Sequence, residues 1–170
     1  FGQNKILFDG SQAETAANAD WIPDADIFNL CFNPNATVGC GNEANPQRVL
    51  TPAQSEITIS TVETYWKGAL SAFAVDCVKN GLHVSTLPYS GQITYNNGSN
   101  KQDLSRYKVF VVCEPNIRFT TAEKTAILNW VNAGGGLLMI GNHAGSDRNN
   151  DGWDPPAIWN DLMLNNEVQN

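Results

Sequence analysis

The feature that most constrains the fold of this chain is a series of short apolar runs separated by segments with helical patterns. Four runs have the length and composition of strands: Lys5–Asp9, Leu82–Leu87, Val109–Cys113 and Gly136–Ile140. The third is rich in β-branched and aromatic residues, as a parallel strand buried on both faces should be, and we expect the fourth to be buried too. This alternation predicts an α/β fold, in which right-handed crossovers build a mostly parallel sheet with helices on both faces.

The helical segments between these runs carry start and stop signals. A capping box at Ser60-Thr61-Val62-Glu63 predicts the start of a helix that ends at Asn80-Gly81. A second box, Thr120-Thr121-Ala122-Glu123, predicts a helix that ends at Gly134. A third helix is expected to begin with Pro155-Pro156 in its first turn.

The segment after the first strand is long and irregular. Residues 14–18 are predicted to form a short helix capped by Ser11, and residues 20–52 carry four prolines and no sustained period. A loop of this length in a compact domain usually serves function or covers a site. Cys31 and Cys40 bracket part of it, and a disulfide between them would contribute about 2–3 kcal/mol.

The composition indicates one globular domain, spanning residues 1–170. Residues of hydrophobic type make up 42% of the chain and charged residues 16%, which excludes a disordered protein. A net charge of −7 and ten scattered Lys and Arg residues argue against a nucleic-acid partner. No apolar window reaches the roughly 18–20 residues that a membrane span requires.

The low charge density, the many asparagines and the four cysteines favour a secreted protein, extracellular or periplasmic. The first residue, Phe1, is typical of a processed chain. Cys77 falls on a predicted helix and Cys113 on a predicted strand, and this pattern fits a second disulfide and two buried free thiols equally well.

Three polar residues follow three predicted strands. Asp9 ends the first, Glu114 follows Val109–Cys113, and His143 comes shortly after Gly136–Ile140. Because ligands bind beyond the carboxyl ends of parallel strands, these side chains are candidates for a catalytic group. Each also has a structural alternative, as a turn residue, a solvated carboxylate or a hydrogen-bonded histidine respectively.

The sequence Gly141-Asn142-His143-Ala144-Gly145 has the pattern of a sharp strand-to-helix turn in which small residues present one side chain. The presented residue is histidine rather than serine or cysteine, so an acyl-enzyme mechanism through this turn is not expected. His143 would instead act as a general base or a metal ligand.

The next loop has the spacing of a calcium site. Asp147, Asn149 and Asp151 alternate before Gly152, and the Trp153 carbonyl is the next candidate ligand. Ile158 stands where an EF-hand has its bidentate glutamate, so Asp154 or Asp161 would have to complete the shell. The alternative is an Asn- and Asp-rich turn that binds no metal.

The stretch Tyr107–Gly145, with its turn after a triple-glycine strand, resembles the class I glutamine amidotransferase-like superfamily, and within it the ThuA-like branch, where histidine replaces the cysteine. A closer resemblance, to uncharacterised secreted bacterial proteins, spans nearly the whole chain. It rests on these blocks: Leu7-Phe8-Asp9, Ala19-Asp20-Trp21, Glu114-Pro115-Asn116, Phe119-Thr120, and the SDRNNDGWD motif Ser146–Asp154 with Ile158–Leu162.

This resemblance implies a flavodoxin-like three-layer sandwich, but it does not imply amidotransferase activity, because His143 stands at the nucleophile position. Members of the group continue beyond the point that corresponds to Asn170. The resemblance therefore implies a fragment or a processed product that lacks the last strands of a longer domain.

Two hypotheses of function follow. The first is a secreted hydrolase that acts on a carbohydrate or peptide-like substrate through His143 with Asp9 or Glu114. The second is a non-catalytic, calcium-stabilised binding module or a component of an extracellular assembly. Trp153 and Trp159 beside the loop suit stacking on sugars, although tryptophan more often packs in a core. The sequence leaves the oligomeric state open.

Overall fold

A computed structural model of the chain describes residues 4–16, 19–23, 53–66, 69–88 and 90–169. These residues form a four-stranded sheet and a small two-stranded one. The strands are β1 (Lys5–Asp9), β2 (Thr15–Ala16), β3 (Ala19–Asp20), β4 (His83–Leu87), β5 (Val109–Cys113) and β6 (Gly136–Ile140). The larger sheet has the order β4-β1-β5-β6 and every pairing in it is parallel. The predicted α/β class with a parallel sheet is therefore confirmed.

The described residues include three α-helices, α1 (Ser71–Lys79), α2 (Thr121–Asn132) and α3 (Pro155–Leu164), and two short 3₁₀ turns, Glu63–Tyr65 and Leu104–Arg106. Helix α1 packs on one face of the sheet, against Ile6 and Phe8 of β1. Helices α2 and α3 pack on the opposite face with Leu7. The chain is thus a three-layer α/β sandwich of flavodoxin-like type.

The two faces of the sheet follow from the alternation of side chains along each strand. In β5, Phe110 and Val112 face α2 and α3, whereas Val111 faces α1. All three are buried, as is expected for a strand with neighbours on both sides and helices above and below. The ring of Phe110 meets Trp130 of α2 edge to face, with ring centroids 6.5 Å apart.

The second capping box forms as the sequence predicts. Thr120 Oγ1 accepts a hydrogen bond from the Glu123 amide at 3.3 Å, and Glu123 Oε2 accepts one from the Thr120 amide at 2.8 Å. The chain leaves α2 through Gly134, whose φ of +98° is easily adopted only by glycine. These local signals fix both ends of α2.

Two predicted helix starts are wrong. The box at Ser60–Glu63 is followed only by the 3₁₀ turn Glu63–Tyr65, and α1 begins at Ser71. Thr61 Oγ1 accepts a hydrogen bond from the Thr58 amide at 2.8 Å. Residues 14–18 contain no described helix either. Thr15–Ala16 instead pairs antiparallel with Ala19–Asp20, and Ser11 bonds Asp9 rather than capping a helix.

The expectation that Gly136–Ile140 is a buried strand is also wrong. As β6 it is the last strand of the sheet and pairs only with β5 among the described residues. Its residues Leu138 and Met139 are 40% and 43% exposed. The strand is apolar enough to be central, but the sheet order places it at an edge.

A buried ion pair joins α2 to α3. Lys124 Nζ donates to Asp161 Oδ2 at 2.9 Å and to the Asn165 carbonyl at 2.7 Å. Both charged side chains are 10% exposed. Because each charge is largely removed from water, the loss of one partner leaves the other without compensation.

We predict that Lys124→Met destabilises the protein by about 3 kcal/mol, because Asp161 is left buried without its cation. Chemical denaturation at neutral pH measures the change. The double variant Lys124→Met with Asp161→Leu should recover most of the loss, since apolar residues of similar size often replace a buried ion pair at little cost. The pair of Lys79 and Glu63 provides the control, because the Glu63 side chain is 57% exposed: Glu63→Gln should change stability little. Equal losses in Lys124→Met and Glu63→Gln would contradict this account.

Candidate functional site

The carboxyl edge of the sheet brings the three predicted catalytic candidates to neighbouring strand ends. Asp9 is the last residue of β1, Glu114 follows β5, and His143 lies in the loop after β6. Since β1, β5 and β6 are adjacent, the three residues share one edge of the sheet. The charges of Arg148 and His143 act on Glu114, which places these three side chains close enough to interact electrostatically.

Glu114 is the strained member of this group. Its φ is +56°, a left-handed conformation that is uncommon for a residue with a side chain and is concentrated at functional sites. The side chain is buried. Burial raises the pKa of its carboxyl, and the positive charges of Arg148 and His143 partly oppose that rise.

Asp9 is buried at the end of β1. Its Oδ1 accepts hydrogen bonds from the Ser11 amide at 3.0 Å and from Ser11 Oγ at 2.6 Å. Its Oδ2 is buried and has no donor among the described residues. Burial raises the pKa of Asp9, although hydrogen bonds with Glu14 and Ser11 oppose the effect.

Glu14 is a functional candidate that sequence reasoning missed. The turn after β1 returns the chain so that the Glu14 carboxyl meets that of Asp9 within hydrogen-bonding distance. Burial, together with the charge of Asp9, raises its pKa well above the ordinary value. The signal available in the sequence was a second carboxylate just after a strand-ending aspartate. The turn that joins them requires a φ of +53° at Ala13, and the sequence does not predict this conformation.

His143 lies at the exposed rim of the edge. Its Nδ1 is 2.8 Å from the Ala144 carbonyl, and its own carbonyl accepts a hydrogen bond from Ser146 Oγ at 2.7 Å. The predicted strand-to-helix turn does not form, because residues 141–154 separate β6 from α3 and the φ of His143 is not positive. The strained position at this edge belongs to Glu114 instead.

The predicted calcium loop folds around Asp147. Its two carboxylate oxygens accept hydrogen bonds from the amides of Asp151 at 3.3 Å and Gly152 at 2.8 Å. Asn149 Nδ2 donates to Asp151 Oδ2 at 3.1 Å, and Asp151 Oδ1 accepts from the Trp153 amide at 2.9 Å. The alternating side chains therefore do gather at one turn, closed by hydrogen bonds to its own backbone.

The two carboxylates expected to complete a calcium shell are engaged elsewhere. Asp154 caps α3, accepting from the Ala157 amide at 2.8 Å and from the Gly145 amide at 2.5 Å. Asp161 pairs with Lys124. In the described ranges, no group of three or more histidine, cysteine, aspartate or glutamate side chains is arranged to hold a metal ion. Asp147, Asn149 and Asp151 are of suitable chemistry, but the loop does not present a full set of ligands.

Cys77 and Cys113 are buried free thiols, so of the two alternatives for this pair the disulfide is excluded. Burial, with the charges of Glu114 and Glu14, raises the pKa of Cys113 to about 12. A thiol held in this form is a poor nucleophile. Cys31 and Cys40 lie outside the described residues.

Aromatic residues surround the loop. The Arg118 guanidinium lies 4.2 Å from the centre of the Trp153 ring. Trp159 packs on Phe119 with ring centroids 5.6 Å apart, and its Nε1 donates to the Ile140 carbonyl at 3.2 Å. Both tryptophans are half-buried, so each contributes to packing and keeps part of its surface accessible.

Comparisons of the chain with protein-family models, with curated proteins and with solved structures gave no match. The resemblance to the glutamine amidotransferase-like superfamily therefore stays a prediction. Within the part of the chain that the structure describes, no helix is long and apolar enough to cross a membrane.

We predict that the protein is more stable at mildly acidic than at mildly alkaline pH. Burial raises the pKa values of Asp9, Glu14 and Glu114, so the folded state binds their protons more tightly than the unfolded state does. Their contribution is complete below the ordinary carboxyl pKa and is lost as the pH rises through the folded values. The melting temperature should therefore fall between about pH 5 and about pH 8.

Glu14→Gln should flatten this dependence, because the amide does not titrate. Glu63→Gln is the control: a hydrogen bond from Lys79 lowers the pKa of Glu63, so its titration lies below the tested range. A wild-type melting temperature that rises steadily from pH 5 to pH 8 would show that the three buried carboxyls do not control stability.

Proposed function

We propose that this protein is a secreted hydrolase whose acid–base chemistry takes place at the carboxyl edge of the sheet. The observation that carries the proposal is Glu114, a buried carboxyl in a strained backbone conformation at the end of a central strand. Strain and a perturbed pKa at one residue are a combination concentrated at active sites. The placement beyond the strand ends is where open α/β sheets bind ligands.

The roles follow from the environment of each group. Glu114 is the general acid, because burial favours its protonated form at a pH where an exposed glutamate is ionised. Asp9 is the general base that activates water. His143, which is exposed, contacts the substrate at the rim of the site. Arg148, whose Nε has no acceptor among the described residues, is placed to stabilise negative charge that develops near Glu114.

The substrate class that we propose is a carbohydrate or a peptide-like molecule. Trp153 and Trp159 are half-buried and offer ring surface, which suits stacking on a sugar or on a planar peptide group. The absence of a thiol or hydroxyl nucleophile from the roles above favours direct attack by water. The low density of charged residues supports an extracellular or periplasmic location.

Glu114→Gln tests the proposal. Screening with chromogenic glycosides, peptide anilides and mixed oligosaccharides identifies the substrate, and we expect the variant to lower kcat by about 10²–10⁴-fold. Glutamine keeps the size of the side chain and the same backbone strain, so the melting temperature should stay close to that of the wild type. His143→Ala should also lose turnover while it keeps its fold.

Asp76→Asn is the matched control, because this carboxylate is exposed on α1. It should retain wild-type activity. If Glu114→Gln and His143→Ala both hydrolyse the substrate at the wild-type rate, the site is wrongly assigned. If no substrate class is hydrolysed and sugars or peptides bind equally to wild type and variants, the non-catalytic binding module is the better account.

We further propose that the Asp147–Trp153 loop binds calcium weakly. The supporting observation is the contact between Asn149 and Asp151 inside a turn that Asp147 closes, which gathers three oxygen-bearing side chains. A carboxylate has about four acceptor positions, so these hydrogen bonds leave room for a cation. Affinity should be low, because Asp154 and Asp161 have other partners.

Calorimetric titration of chelator-treated protein measures this affinity. At a free calcium concentration 100 times Kd, we expect about 2.7 kcal/mol of added stability, seen as a higher melting temperature. Asp147→Asn should weaken binding, and Asp76→Asn should not. If millimolar calcium produces no heat of binding and no shift in melting temperature, the loop is an Asn- and Asp-rich turn that binds no calcium.

A further inference from the structure

The turn after β1 holds two buried carboxyl groups together. Asp9 and Glu14 are 2% and 1% exposed and lie within hydrogen-bonding distance of each other. One oxygen of each is already satisfied: Asp9 Oδ1 by Ser11, and Glu14 Oε1 by the Gln12 amide at 3.2 Å. The other oxygen of each has no donor among the described residues. A single proton shared by the pair would satisfy both.

The groups around the pair favour this arrangement. At the end of β5, Cys113 contributes a thiol, and the charge of Glu14 helps to raise the pKa of this thiol. From α2, Glu123 Oε1 approaches the side chain of Gln12 at 3.4 Å. The described neighbours that face the pair thus bring no positive charge close to it, and two buried anions in contact would repel each other strongly.

Gln12 adds a third unsatisfied acceptor beside the pair. Its amide nitrogen Nε2 is 3.5 Å from Ser11 Oγ, the hydroxyl that bonds Asp9. Its oxygen Oε1 is buried, on a residue that is 4% exposed, and has no donor among the described residues. One shared proton cannot satisfy this oxygen as well. A water molecule can, because it donates two hydrogen bonds and binds where two or more polar partners converge.

We propose that Asp9, Glu14 and Gln12 hold the attacking water of the proposed hydrolysis. Asp9 is the base, Gln12 Oε1 is the second acceptor that orients the water, and Glu14 is a positioning residue that keeps one proton on the pair. This inference rests on the proposed function and names the nucleophile of that reaction.

The step balances without a further reactant. One O–H bond of the water breaks and its proton passes to Asp9, while the water oxygen forms a bond to the electrophilic carbon of the substrate. The bond from that carbon to the leaving group breaks, and the leaving group takes the proton of Glu114. The pair then holds two protons and returns one to Glu114 through solvent before the next turnover.

Infrared spectroscopy tests the shared proton without a substrate. At neutral pH the wild-type protein should show the C=O band of a protonated carboxylic acid in a buried site. Glu14→Gln should lose the part of this band that belongs to the pair, whereas Glu63→Gln should keep it. If the wild type has no protonated carboxyl at neutral pH, or if Glu14→Gln leaves the band unchanged, the proposal is overturned.

The pH profile of hydrolysis tests the catalytic part with a substrate from the screen. In Glu14→Gln the amide donates permanently to Asp9 and lowers its pKa, so the acidic limb of kcat/KM should move to lower pH. A merely structural role would change the rate without moving this limb.

Suppose that Glu114→Gln abolishes hydrolysis but that the acidic limb of kcat/KM in Glu14→Gln lies at the wild-type pH. The proposed hydrolase function is then supported and the proposed water site is overturned. If the infrared band behaves as expected but no substrate class is hydrolysed, the shared proton is supported. The proposed hydrolase function and the catalytic role of this water are then both overturned.

Discussion

The position of β1 inside the sheet is the constraint on which the candidate site depends. This strand has β4 on one side and β5 on the other, with helices above and below, and its last residue, Asp9, is 2% exposed. Asp9 must therefore be satisfied by groups that the next turn supplies, and that turn delivers Ser11 and Glu14. Glu114 is in a similar position at the end of β5. The carboxyl groups at this edge are thus buried because the strand order places them at the ends of central strands.

Local features of the fold could be predicted from the sequence because their causes are local. The apolar runs became strands, and the box that starts with Thr120 became the start of α2 because its two hydrogen bonds involve only neighbouring residues. The box that starts with Ser60 has the same pattern of capping residues, but Ile59 and Val62 stay exposed, whereas Ile127 and Leu128 of α2 are buried. The exposure of β6 depends on which strands pair, and composition does not encode this order.

The same distinction explains what was found and missed in the site. Asp9 and Glu114 could be found because parallel topology places strand ends together. Glu14 was missed because its meeting with Asp9 depends on the conformation of one turn. A sharp turn was expected after β6 from the glycine pattern around His143, yet the chain adopts a wider loop there. A short motif shows which turns a backbone can adopt, but the packing of the whole sheet edge determines the conformation that forms.

The backbone of Glu114 also bears on how this chain would respond to selection. A glycine at this position would relieve the strain of a positive φ and would remove a buried carboxyl, so two sources of instability would disappear together. Screens that reward only thermal resistance should therefore enrich glycine there and discard the side chain. A population of variants sorted by stability and one sorted by hydrolysis should diverge most sharply at this residue, because the two pressures favour opposite outcomes at a single position.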